Sequence, residues 1–365
     1  MSTECIDTSF ENSVLVAMSG GVDSSATAAL LQDKGYNCIG VNMRLYTGCD
    51  PVQNTKSCCS VSDADDAASV CAGMKIPFHV FDYTKEFKEL VINNFSSSYL
   101  KGITPNPCID CNKYLKFERL LELAHSMGCK RLATGHYARI EFNEKSGRYE
   151  LYKGRDISRD QSYVLYMLTQ KELSHILFPL GGLLKSEVRE IAEKRGLLNA
   201  KKPDSEDICF VPDGDYASFI ERDTGKKPEP GNFTDEAGNV LGRHRGIIHY
   251  TVGQRRGLGI SSTEPYFVKR IDPENNTVVL GRKKDVMSSS LNAKDFNWLS
   301  IARPDGEIRA KAKIRYRYKE APCTVSVIDE THTHITFDEP QSAVTKGQAV
   351  VLYDGDRVLG GGTIY

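Results

Sequence analysis

The chain has 365 residues, enough for two or three domains that each bury a core. Its 40% hydrophobic and 26% charged content is that of a globular protein, and a net charge of -1 excludes a globally basic nucleic-acid binder, so any such surface must be local. No apolar run approaches a membrane span, the first residues lack a signal-peptide pattern, and 11 cysteines, an odd count, argue for reactive, metal-binding or core thiols, so the expected setting is cytoplasmic with no membrane partner.

In chain order, Val14 to Met18 reads as a buried strand that breaks into Ser19-Gly20-Gly21-Val22-Asp23-Ser24-Ser25 before the helical pattern Ala26 to Leu31. Strand, glycine turn and helix form an anion site: adjacent glycines bare the backbone N–H groups, and the helix points its positive end at the same spot. The turn lacks the lysine of a G-x-x-x-x-G-K-[ST] loop and the spacing of a dinucleotide fingerprint. Ser19, Ser24 and Ser25 can donate to phosphate oxygens, and Asp23 makes sense if a divalent cation such as Mg2+ bridges it to them. S-G-G-V-D-S resembles the pyrophosphate-binding (PP-loop) turn of the adenylating ATP pyrophosphatases, which implies ATP cleaved between its α and β phosphates.

Cys38 to Leu45 and Ile76 to Phe81 read as further strands with a helix at Asp63 to Met74 between them, so strands alternate with helices as in a parallel sheet. Asp63, Asp65 and Asp66 in that helix's first turn complement its dipole. Helices at Lys85 to Leu100 and Cys108 to Met127 flank Gly102-Ile103-Thr104-Pro105-Asn106-Pro107, which two prolines hold extended. The strand Arg131 to Thr134 leads into the turn Gly135-His136-Tyr137, expected to face the same crevice as the Ser19 turn. Asn143 to Gly147 reads as a hairpin loop, Lys185 to Arg195 as a helix stopped by Gly196, and Asn199 to Val211 as a mobile loop.

Near Lys226 to Gly231 helical patterns give way to short alternating runs. The expected fold class is therefore α/β: a parallel-sheet nucleotide-binding domain over 1–212, a small central β-rich domain over 213–280 and a C-terminal β-barrel over 281–365. Between Glu236 and Glu264 there is no acid, while Arg243, His244, Arg245, His249, Arg255 and Arg256 fall inside the window, which suits a phosphate backbone. Arg309, Lys311, Lys313, Arg315, Arg317 and Lys319 alternate, so one continuous strand would align six cations on a face for RNA.

Cys108 and Cys111 stand three apart at a helix start, where the dipole favours thiolate, with Cys209 far away in sequence. Cys58-Cys59 has the wrong spacing for a second zinc pair, and Cys5, Cys38, Cys49, Cys71, Cys129 and Cys323 read as scattered core or surface thiols. An adenylating turn, reactive thiols and basic β modules together point to RNA thiolation: AMP makes a carbonyl oxygen a good leaving group, and a sulfur nucleophile takes its place.

Nearly the whole chain resembles the bacterial tRNA-specific 2-thiouridylases. The marks are S-G-G-V-D-S-S (19–25), T-P-N-P-C-I-D-C-N (104–112), G-H-Y (135–137), R-D-Q-S-Y (159–163), D-I-C-F (207–210), T-V-G-Q-R-R-G-L-G (251–259) and the closing L-G-G-G. The resemblance implies ATP bound by Ala17, Met18, Ser19, Gly20, Gly21, Val22, Asp23, Ser24, Met43 and Gly135. It implies Asn106, Pro107 and Cys108 near the target base, and His136, Arg159, Asp160, Gln161, Arg315, Tyr316 and Gln348 against tRNA. The tRNAs would be those accepting Lys, Glu and Gln, with a wobble uridine. Cys209 would carry a persulfide received from a sulfur-relay or cysteine desulfurase protein, and Cys111 would release that sulfur, closing a Cys111–Cys209 disulfide. Relatives read P-N-P-D-x-x-C where this chain has Cys108. Either no carboxylate is needed there, or Asp110 serves from another helix face, or Cys108, Cys111 and Cys209 hold a 4Fe-4S cluster with one open iron.

Overall fold

The computed structural model describes residues 11–46, 61–203 and 208–365, grouped in two compact units. The first comprises Met1–Leu90, Cys108–Asp213 and Asp356–Val358; the second Val91–Pro107, Gly214–Gly355 and Leu359–Tyr365. No helix among the described residues is long and apolar enough to cross a membrane.

In the first unit, β1 (Ser13–Ala17), α1 (Val22–Asp33), β2 (Asn37–Arg44), α2 (Val61–Met74), β3 (Phe78–Asp82), β4 (Arg131–Ala133) and β7 (Ile176–Leu177) build a five-stranded sheet in the order β3-β2-β1-β4-β7. All its pairings are parallel, as the alternation of strands and helices requires. Val14, Leu15 and Val16 of central β1 are wholly buried because helices cover both faces, hence an unbroken apolar run without period-two alternation. Small residues serve α1 the same way: Ser24, Ser25, Ala26, Thr27, Ala28 and Ala29 are all buried, letting the helix lie close to the sheet and to α3 (Lys185–Lys194). The antiparallel hairpin β5 (Ala138–Asn143) and β6 (Arg148–Lys153) turns at Asn143 to Gly147 as expected, and Arg357 and Val358 pair with Tyr152 and Leu151 on its other side.

The helix expected from Cys108 is present but irregular: Pro107–Asp110 is α, Cys111–Arg119 is a π-helix and Leu120–Ser126 is α again. π-turns widen the helix and gather at functional sites. Lys88–Ile92 interrupts the preceding helix in the same manner.

In the second unit, α4 (Tyr216–Thr224) precedes β8 (Gly231–Thr234), β9 (Val240–His244), β10 (Phe267–Asp272) and β11 (Thr277–Gly281), a sheet in the order β10-β11-β8-β9 around Phe233, Tyr250, Val268, Val278 and Leu280. Then β12 (Met287–Trp298), β13 (Ile308–Lys313), β14 (Ala321–Val327), β15 (Thr333–Ser342), β16 (Ala349–Asp354) and β17 (Arg357–Ile364) run β12-β15-β14-β13-β16-β17, and β12–β17 pairing closes the barrel. Closure leaves no open edge and encloses Val325, Ile335, Val350, Leu352 and other wholly buried side chains.

The aligned six-cation face is not formed. β13 ends at Lys313, and Tyr318 N–H donates to Arg315 O in a turn. Arg315 folds back, its Nη2 donating to Val252 O (2.8 Å), Ala343 O and Thr345 Oγ1, while Arg309 pairs with Asp338. Three fixed acceptors outcompete the extended conformation that alternation suggested. Arg315 and Tyr316 thus lie past the end of β13.

Candidate functional site

The turn after β1 has the geometry an anion needs. Gly20 adopts φ +74, and Gly21, which precedes α1, offers no side-chain cap to its first-turn N–H groups. The serines shape the turn: Ser24 Oγ and Ser25 Oγ donate to Gly21 O (3.0 and 3.1 Å), and Ser19 N–H donates to Ser24 Oγ. Ser19 itself is exposed. Beneath, Asn42 Nδ2 donates to Met18 O at 2.8 Å, and Met43 beside it is buried.

Gly135 meets this turn. A Cβ placed on Gly135 would come within 3.0 Å of the Asp23 carbonyl carbon and 3.2 Å of Ser24 N, so the G-H-Y turn packs against the head of α1 as the sheet topology predicted. Tyr137 then donates its hydroxyl to Asp23 Oδ1 at 2.8 Å. R-D-Q is a brace for that turn. Gln161 Oε1 accepts from Tyr137 N–H, Asp160 is buried and accepts from Gly154 N–H and from both Ser162 N–H and Oγ–H, and Arg159 is half-buried.

His136 is buried between the rings of Phe117 and Phe178, its Nδ1 2.7 Å from Thr134 Oγ1. Burial holds its pKa well below 6.5, so the ring is neutral. The unfolded chain takes up that proton near 6.5 and the folded chain does not, so stability falls as pH drops below that value. His244 and His249 are shifted the same way, so they add to the slope. A His136→Gln protein should show a smaller loss of Tm between about pH 7 and 5 than the parent; equal losses by thermal scanning would refute a buried neutral ring.

Three side chains invisible to motif reading complete the turn. Lys185, the first residue of α3, lies 2.7 and 2.8 Å from the two Asp23 carboxylate oxygens with its side chain 11% exposed. Lys202 joins Asp63 and Asp66 (both 2.6 Å) and reaches Gly20 O, to which Asn199 Nδ2 also donates at 3.0 Å. The acids of α2 therefore act through Lys202 as much as through the helix dipole. Arg189 Nη1 holds Ala200 O and Lys202 O in turn.

The segment read as a mobile loop is anchored at both ends. Asn199 and Ala200 are buried at one, while at the other Phe210 packs between Tyr46 and Phe87 and Val211 is buried. Residues 204–207 lie outside the described residues. Cys209 is half-buried beside that anchor, Cys111 is buried at the start of the π-helix, and Cys108 is exposed, so the Cys108–Cys111 spacing does not give them one environment. Among the described residues no three His, Cys, Asp or Glu side chains gather as a metal-holding group. Burial pushes Cys38 and Cys323 up to about 12 and Cys71 to about 11, with Cys129 raised as well, so these are inert core thiols. Cys5, Cys49, Cys58 and Cys59 fall outside the described residues.

In the second unit, Gln348 Nε2 donates to Thr104 O (2.9 Å) and Pro105 O (3.2 Å), and Thr104 N–H donates to Lys346 O. The proline-held segment before Asn106 is thereby fixed to the barrel end, with Asn106 half-buried and Pro107 buried. Tyr316 is 39% exposed. Of the basic window, Arg243, Arg245, Arg255 and Arg256 are exposed, whereas His244 is a core residue bonded to Asn276 O and Gly246 N–H. A cavity of about 450 Å³ opens beside this loop, lined by Arg255, Leu258, Ser262 and Tyr266 among others.

Three family profiles cover this architecture. A tRNA methyl transferase HUP domain matches residues 12–213, a tRNA methyl transferase PRC-barrel domain 217–282 and an aminomethyltransferase beta-barrel domain 288–364. The chain is 51% identical over 96% of its length to the tRNA-specific 2-thiouridylase MnmA of Acetivibrio thermocellus, covering 98% of that protein. It is 49% identical over 96% of its length to the enzyme of the same name from Clostridioides difficile, covering 97% of it. Against MnmA 1 of Thermoanaerobacter sp. the identity is 50% over 97% of this chain and 98% of that one.

Proposed function

The chain belongs to the tRNA-specific 2-thiouridylase family and is an ATP-dependent tRNA sulfurtransferase, and we propose that it adenylates the C2 oxygen of a wobble uridine and replaces it with sulfur drawn from a Cys209 persulfide. The observation that carries this is the meeting of Gly135 with Asp23 and Ser24, which builds an uncapped helix start and a second strand-end turn into one anion-binding crevice.

ATP enters with its phosphates on the Ser19 to Ser24 turn, and Met43 and Gly135 help to hold it. Asp23 is the carboxylate that would face a magnesium ion carried by the nucleotide, which neutralises phosphate charge when bound. The uridine O2 attacks the α-phosphorus, the α–β bridging bond breaks, and pyrophosphate leaves with its electron pair. The Cys111 thiolate then attacks Sγ of the Cys209 persulfide. The S–S bond breaks toward the terminal sulfur, which adds at C2 as AMP departs with the C–O electron pair. A dithiol reductant reopens the resulting Cys111–Cys209 disulfide, and a sulfur-relay protein or cysteine desulfurase reloads Cys209.

Tyr316, Arg159 and Asn106 contact tRNA, preferentially those accepting Lys, Glu and Gln. Arg315, Gln348, Asp160, Gln161 and His136 make internal bonds and serve by fixing the segments that do so. The protein works in the cytoplasm, where reduced thiols and tRNA coexist.

Anaerobically purified protein, assayed for iron and supplied with ATP, magnesium, wobble-uridine tRNA and a persulfide donor, should form 2-thiouridine and AMP in equal amounts while iron-free. Thiolation that appears only with stoichiometric iron and sulfide would overturn the persulfide route.

A further inference from the structure

The glycine turn has no lysine of its own, yet an ammonium is built beside it from across the fold. Lys185 Nζ sits 2.7 and 2.8 Å from Asp23 Oδ1 and Oδ2, and Asp23 lies two residues past Gly21, in the first turn of α1. Asp23 is shared: Tyr137 donates its hydroxyl to Oδ1 at 2.8 Å, and the Lys185 ammonium lies 5.9 Å from the centre of the Tyr137 ring. The lysine's own position is fixed, since its backbone N–H donates to Asp156 Oδ2 at 3.0 Å. The other ammonium at the turn, that of Lys202, is committed to Asp63 and Asp66.

An ion pair whose lysine is 11% and whose aspartate is 32% exposed adds little stability, because desolvating the lysine and screening at the aspartate offset their attraction. Burial of Lys185 therefore calls for another explanation, and the neighbouring chemistry supplies one. When the α–β bond of ATP breaks, negative charge grows on the β-phosphate oxygen, and a preplaced cation in a water-poor site stabilises it far better than solvent does.

We propose that Lys185 is the cation that binds the departing pyrophosphate, kept by Asp23 until phosphate oxygens take that carboxylate's place. This deepens the adenylation reading and rests on it. Lysine suits the exchange: its compact ammonium on a flexible stem can move between neighbouring acceptors without breaking a bidentate fork. Asp23 has a double effect, since it positions the ammonium and also repels an incoming anion that carries no metal.

The test is calorimetric titration with inorganic pyrophosphate, without added metal, on the full-length protein and on Lys185→Gln, Lys185→Arg, Asp23→Asn and Asp23→Asn/Lys185→Gln. The parent should bind, Lys185→Gln should bind about 10-fold or more weakly, and Lys185→Arg should stay within about 3-fold of the parent, as expected for a charge-assisted contact. Asp23→Asn should bind at least as tightly as the parent. The double variant should lose about 10-fold relative to Asp23→Asn, and since it leaves no lone buried charge this comparison survives any folding defect in Lys185→Gln. Equal affinity of Asp23→Asn and the double variant would reduce Lys185 to a structural partner of Asp23 and overturn the proposal. Absence of pyrophosphate binding by the parent would instead refute the reading of the glycine turn, and this proposal with it.

Discussion

Cys209→Ser and Cys111→Ser proteins should each lose 2-thiouridine formation by at least about 1000-fold while still releasing pyrophosphate in the presence of ATP and tRNA, the pattern expected when a nucleophile is removed and the rest of the site survives. On the proposed route the two half-reactions use different parts of the first unit. Adenylation needs the turn at the head of α1 and its Gly135 neighbour, none of which either substitution alters. The proposed persulfide route needs one thiol to bear the persulfide and another to release it. Blocking that step should trap adenylated tRNA, so pyrophosphate release should stop near one equivalent instead of turning over.

Cys108→Ser separates the cysteine readings. Cys108 is exposed and Cys111 buried, and the described side chains include no three-ligand group. On the persulfide route no sulfur passes through Cys108, so Cys108→Ser should keep thiolation within about 10-fold of the parent. A loss equal to that of Cys209→Ser would show that all three thiols act together, as a cluster requires. Cys323→Ser is the control: burial pushes that thiol up to about 12, so it stays protonated and out of the reaction.

The parts of this site that follow local rules were legible in the sequence. A short apolar run, two glycines and a short helix of small residues put β1, the turn and α1 in place, because each follows from propensity and burial within a dozen residues. Lys185 was not legible as a site residue, because what brings it to Asp23 is the packing of α3 on α1 across 162 residues of sequence. Its only local signature is that of an ordinary helix start. The same holds for Asn199 and Lys202, which sat in a stretch with no period and turned out to grip Gly20 O. The alternating cations of 309–319 misled for the opposite reason. A period of two describes a strand only while nothing competes for the backbone, and Arg315 found three acceptors that turned it inward. The π-turn at Cys111 carries no glycine or proline to mark it, so residues 108–127 read as one helix.

Gly20→Ala should be the most damaging one-carbon change in the turn. Gly20 has φ +74, where a Cβ costs about 1–2 kcal/mol. That Cβ would also stand 2.2 Å from the Asp63 carbonyl oxygen, with the Asp63 carbonyl carbon and Cα both at 2.9 Å. These are backbone atoms of α2 that no rotamer change can withdraw, and Lys202 and Asn199 fix the turn from the same side. Either the turn lifts or the helix shifts, which adds about 1–3 kcal/mol of overpacking. A Tm drop matching about 2–5 kcal/mol is expected, along with at least 100-fold slower pyrophosphate release, since displacing a reacting group by about 1 Å costs that much. Gly35→Ala provides the comparison. It has φ +82 but no atom within 4 Å of its Cβ position, so it carries the conformational cost alone and leaves adenylation intact. If Gly20→Ala lowered Tm no more than Gly35→Ala and still released pyrophosphate at the parent rate, the turn would not be held against α2 and the crevice would lose its rigid floor.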